Sequence, residues 1–112
     1  MAATFSRDER LRKGEFRLRR WRACGETPHF LLLRSPNSYE QARLAVAVRR
    51  KLGIAVTRNR MRRMIKEFFR LNKDLFIDSQ DNLIRVKKIP GQLKWRETCE
   101  EMGLLLSSVN AR

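Results

Sequence analysis

The sequence predicts a small two-layer α/β sandwich, α+β in composition, with helices packed on one mixed sheet. Three observations point to it. The stretch RLAVAVR (Arg43–Arg49) alternates apolar and other residues strictly, as a half-buried strand does. The stretch AVTRNRMRRMIKEFFR (Ala55–Arg70) repeats its apolar residues at helical spacing. The segments around these two read, in chain order, as helix, strand, strand, helix, strand, helix. At 112 residues and 42% hydrophobic content, the chain is most simply one domain over residues 1–112 with a single modest core.

Residues 1–10 are polar and basic and are expected to be a flexible arm. SRDE (Ser6–Glu9) fits a capping box, but Gly14 weakens any helix begun there. A first helix is expected from about Arg12 to Ala23, ending near Cys24 and Gly25. It interleaves Phe16 and Trp21 with Arg17, Arg19, Arg20 and Arg22. Aromatics among arginines suit stacking on unpaired bases, worth about 1–3 kcal/mol per base. They equally suit anchoring an amphipathic helix to the core, and both readings stand at this point.

HFLLLRS (His29–Ser35) predicts a strand, and the PNS that follows is a turn signal. In Arg43–Arg49, Leu44, Val46 and Val48 share one face and are expected in the core. Arg43, Ala45, Ala47 and Arg49 share the other, small in the middle and cationic at both ends. Such a face is either the floor of a groove or a plain exposed sheet face. RRKLGIAV leads into the central helix, with Thr57 as the expected N-cap. At about 100° per residue, Met61, Met64, Ile65 and Phe68 gather on one side of that helix. Asn59, Arg62, Arg63, Lys66 and Arg70 gather opposite, with Arg58 and Arg60 on the flanks. NLIRVKK (Asn82–Lys88) reads as a further strand, IPG breaks the chain, and a last helix is expected from Trp95 to Ser107. Its Cys99, Met102 and Leu106 are spaced for packing rather than for a cofactor.

The charge sets the function class. Formal net charge is +14, with 19 Arg against 7 Lys. Residues 1–70 carry 19 of the cations and 6 of the acids, so nearly all the excess lies in the first two thirds. A localised field of this size favours a polyanion, and arginine suits phosphate because its planar fork donates in pairs. In the central helix the like pairs Arg58/Arg62, Arg62/Lys66 and Lys66/Arg70 cost about 0.2–0.5 kcal/mol each, and Arg63/Glu67 is the expected opposing pair. Against phosphates the sign reverses, because each neutralised phosphate releases counterions.

Self-contained catalysis finds no support. His29 is the sole histidine, and no zinc, nucleophile-elbow, P-loop or dinucleotide motif is present. Asp74, Asp78 and Asp81 read as turn punctuation. Cys24 and Cys99 are too few and too far apart for a metal cluster; two reduced thiols or one disulfide are the options. No apolar run is long enough for a membrane span, and a soluble cytoplasmic protein is expected.

The segment Arg43–Arg70 resembles the signature of the bacterial ribonuclease P protein family. That signature is matched by Arg43-Leu44, Arg50-Lys51, Gly53, Ala55-Val56, Arg58-Asn59-Arg60, Arg62-Arg63, Lys66-Glu67 and Phe69-Arg70. ERLRKGEF before it and IRVKK after it extend the likeness. The resemblance implies a left-handed βαβ crossover, against the usual right-handed rule. It implies a protein subunit that binds a large catalytic RNA and the 5′ leader of precursor tRNA and supports endonucleolytic removal of that leader. The chemistry would rest on the RNA through its Mg²⁺, with no catalytic residue, metal or cofactor on the protein, and with neither DNA nor membrane as partner. By position, Arg58, Asn59, Arg60, Arg62, Arg63 and Lys66, with Arg50, Lys51 and Arg70 at the ends, would face the catalytic RNA. A cleft of Phe16, Arg17, Arg20, Trp21, Arg43, Ala45 and Ala47 would take the single-stranded leader. The chain departs from the family at Ala45, where glycine is usual, at Leu33, often aromatic, and in the five-residue spacing of Phe16 and Trp21. The competing readings are a structural ribosomal or RNA-assembly protein and a self-sufficient nuclease.

Overall fold

A computed structural model describes residues 20–38, 40–76, 79–92 and 94–110. Its elements are β1 (Arg22–Glu26), β2 (Phe30–Pro36), β3 (Arg43–Ala47), α1 (Ala55–Leu71), β4 (Gln80–Val86) and α2 (Trp95–Asn110). Single 3-10 turns occupy Arg50–Leu52 and Lys73–Leu75. The four strands form one sheet in the order β1-β2-β4-β3. β2 pairs antiparallel with β1 and β4, while β3 pairs parallel with β4. The sheet is therefore mixed, as predicted, and α1 is the crossover between its parallel pair.

Alternation sorts each strand onto two faces. Phe30 and Leu32 of β2, Leu44 of β3, and Ile84 and Val86 of β4 point to one side, where both helices lie. Met61, Ile65, Phe68 and Phe69 of α1 meet Met102, Leu105 and Leu106 of α2 over these strands in one continuous core. The predicted apolar side of α1 is thus the buried one, with Phe69 added to it and Met64 buried beside it. Phe76, past the 3-10 turn, closes the end of α1 by standing edge-on to Phe69, with centroids 4.8 Å apart, and to Phe68 at 6.3 Å.

The structure differs from the sequence expectation at three places. Residues 1–19 lie outside the described residues, and with them the basic arm, the capping box, Phe16, Arg17 and most of the expected first helix. That helix does not reach Ala23, because Arg22–Glu26 is strand β1. The register slips between Ala23 and Gly25, so β1 lacks the alternation that marks a strand. Gly25 lies tightly under α2: a Cβ there would stand 2.6 Å from Val109 Cγ2. The second difference is at the start of α1, which begins two residues before Thr57. Its cap is extended Ile54, with no side-chain hydrogen bond. The third is Asp81, which lies within β4, fully buried, rather than in a turn. Strand ends otherwise shift by one or two residues, and α2 runs on to Asn110.

Candidate nucleic-acid interface

Two surfaces carry the predicted site residues: the outer side of α1 with the turn before it, and the sheet face turned away from the helices. On the first, the 3-10 turn Arg50–Leu52 follows β3 directly and presents Arg50 and Lys51 to solvent, with Arg49 exposed ahead of them. Arg49 was not among the predicted contacts, although its place in the basic run Arg49–Lys51 was the available signal. Arg58 Nε donates to the Gly53 carbonyl at 3.0 Å, folding that side chain back over the turn. Arg62 donates to Asn59 Oδ1 at 2.9 Å and to the Val48 carbonyl at 3.4 Å, tying the helix to the end of β3. Asn59 thus orients an arginine while remaining exposed itself. Asn59, Arg60 and Arg63 project outward, and Lys66 is half-buried along the same side.

The acid of the helix does not pair as the sequence predicted. Glu67 accepts from Arg70, three residues on, rather than from Arg63. The hydrogen bond from Arg70 holds the Glu67 carboxyl below its ordinary range and raises Arg70 correspondingly. Arg70 is thereby partly neutralised, whereas Arg63, Arg50 and Lys51 have no side-chain partner among the described residues. A cationic belt runs from the turn along the middle of α1, with Arg50, Lys51 and Arg63 as its unpartnered charges among the described residues. Two exposed aliphatic residues, Ile54 and Val56, sit at its start.

The second surface is the far side of the sheet. Ala45 and Ala47 lie on it half-buried, as the alternation predicted. Arg43 shares that face but is only 3% exposed. Its Nε and Nη2 meet Asp81 Oδ1 and Oδ2 at 2.8 and 3.0 Å. The open cationic edge predicted there is an internal ion pair, because Asp81 is Arg43's partner in the parallel register and a buried guanidinium requires an acceptor. Asn37 adds a 2.7 Å hydrogen bond to the same carboxylate. Arg34, buried on the helix side of β2, donates from Nε to Asn82 at 2.9 Å. Arg20 is exposed and Trp21 half-buried at the entry to β1.

His29 is structural, as expected of a lone histidine. Its Nδ1 lies 2.8 Å from Glu101 Oε1, and Glu101 Oε2 accepts from the His29 amide and the Thr27 hydroxyl. Cys24 and Cys99 are both free thiols, and burial pushes the Cys99 thiol up. Among the described residues no helix is long and apolar enough to cross a membrane.

The family model for ribonuclease P matches residues 5–110. The chain belongs to the ribonuclease P protein family. It is 41% identical over 106 residues to the ribonuclease P protein component of Syntrophus aciditrophicus, covering 93% of this chain and 89% of that one. The solved RNase P protein from Thermotoga maritima superposes with a TM-score of 0.72 at 26% identity, over 88% of this chain and 96% of the other. The RNase P protein of Staphylococcus aureus has the same fold, with a TM-score of 0.73 at 21% identity over 89% and 94%. Membership of this family favours the tRNA-processing reading over a structural ribosomal or assembly role.

Proposed function

We propose that this chain acts as the protein subunit of ribonuclease P in the cytoplasm, a partner of a catalytic RNA in removing the 5′ leader of precursor tRNA. The cationic belt of α1 and the Arg49–Lys51 turn docks on folded RNA. The far sheet face receives the single-stranded leader. Bond cleavage belongs to the RNA, whose bound Mg²⁺ supplies the chemistry; the protein's residues bind, orient and neutralise charge. The observation that carries this reading is the division of the arginines. Arg34 and Arg43 are drawn inside on Asn82 and Asp81, while Arg50, Lys51, Asn59, Arg60 and Arg63 remain outside on one connected surface. A polyanion relieves the self-repulsion of that surface and gains from the counterions released as its phosphates are neutralised.

The test is cleavage of precursor tRNA at low Mg²⁺ by the catalytic RNA alone and with the protein added. Stimulation by the protein, together with no cleavage by the protein alone, is the expected result. Absence of stimulation refutes the proposal, and metal-dependent cleavage without RNA would place the chemistry on the protein after all.

A further inference from the structure

The far face of the sheet reads in rows set by strand register. Ser35, Asp81 and Arg43 form one row; Leu33, Leu83 and Ala45 the next; Leu31, Arg85 and Ala47 the third. The first row is closed on itself by the Arg43–Asp81 pair. The second is aliphatic. The third holds Arg85, half-buried between Leu31 and Ala47, and its guanidinium has neither a hydrogen bond nor an ion pair among the described residues. Glu26, one strand beyond Leu31, is engaged by Lys87 Nζ at 2.6 Å. Arg85 is therefore a cation lacking a counter-charge, its side chain half-buried on a floor of small and aliphatic neighbours and its guanidinium nitrogens open to solvent.

We propose that Arg85 provides a leader-phosphate contact on this face, within the cleft in which the family resemblance had included Arg43. The inference rests on the leader-binding part of the proposed function. An unpaired guanidinium open to solvent keeps its planar fork available, and an incoming phosphate takes two of its parallel N–H donors at once. Beside it, Leu31 and Ala47 offer an apolar surface against which ribose or an unstacked base can lie. A single strand exposes both elements, phosphate edge and base face, without the bulk of a duplex. Arg43 cannot take this role without giving up Asp81.

The experiment uses the reconstituted holoenzyme and compares its affinity for precursor tRNA bearing a 5′ leader with that for the same tRNA lacking one. Arg85→Met keeps the apolar stem and removes the charge; Arg85→Lys keeps the charge and removes the fork. With Arg85→Met the affinity gain from the leader falls about tenfold. Its dependence on log salt becomes shallower by about 0.7, the value for one single-strand phosphate. Arg85→Lys restores the salt slope and only part of the affinity. A leader gain unchanged in Arg85→Met overturns the inference while leaving the proposed function intact. If the wild-type holoenzyme itself gains nothing from a leader, the leader-binding reading fails and this inference with it.

Discussion

Arg43 and Asp81 stand opposite each other on parallel strands 38 residues apart in sequence, joined at two points by contacts of 2.8 and 3.0 Å with both side chains buried. The pair fixes the register of β3 against β4. It also closes the crossover that carries α1 and its cations from one strand to the next. Asn82, the next residue of β4, donates to the Arg43 carbonyl at 3.1 Å on the other side of the same strand pair.

Removing one partner leaves a buried charge without its acceptor. Asp81→Asn is expected to cost about 3–5 kcal/mol of stability, while the double variant Asp81→Asn/Arg43→Met costs less than Asp81→Asn alone. Urea unfolding of the three proteins measures both numbers. A single-variant loss below about 1 kcal/mol would mean that the pair is solvated.

Gly25 sits under α2, with Val109 Cγ2 and Leu105 Cδ1 at 2.6 and 3.1 Å from where a Cβ would be. Gly25→Ala is expected to destabilise the fold by about 1–3 kcal/mol through overpacking. Adding Val109→Ala makes room for the new methyl, so the double variant should be more stable than the sum of the two single changes. Additive thermal shifts would contradict this account of the contact.

Which parts of this were legible in the sequence follows from where each signal lies along the chain. The buried side of α1 was legible because Met61, Met64, Ile65 and Phe68 announce it within two turns, and its cationic side because six charges fall in the same window. β3 was legible because alternation is a local property. β1 was not, because its register slip interrupts the alternation and Gly25 reads as a helix stop when α2 is out of view. The fate of Arg43 was hidden for the same reason: its partner is distant in sequence and resembles a turn aspartate. Arg85 carries no local signal of its own, being a single polar residue in IRV that any half-exposed strand accepts. Its significance depends on what stands beside it across two strand pairings. The expected contacts Phe16 and Arg17 lie outside the described residues.

On α1, Arg60 and Arg63 project from the middle of the cationic belt. Replacing both with Ala should weaken binding to the catalytic RNA and reduce the log–log salt slope by about one for each phosphate no longer neutralised. Filter binding across a salt series gives the slope directly. An unchanged slope would show that this side of the helix faces solvent in the complex.

Glu101 fastens α2 to the turn between β1 and β2, and its ionisation gives the fold an acid-sensitive joint. Burial pushes the Glu101 carboxyl up, but hydrogen bonds from the Thr27 hydroxyl and from the ring and amide of His29 outweigh it and hold the group below its ordinary range. A carboxyl lowered in the folded state contributes stability above its unfolded value, about 4.3, and loses it as pH falls through the folded value. The wild-type protein should therefore lose more stability between about pH 6 and pH 3 than Glu101→Gln does, since an amide does not titrate in that window. The difference between the two pH profiles isolates this joint from every other carboxylate, Asp81 included. Parallel profiles would mean that Thr27 and His29 make no net contact with the charged form.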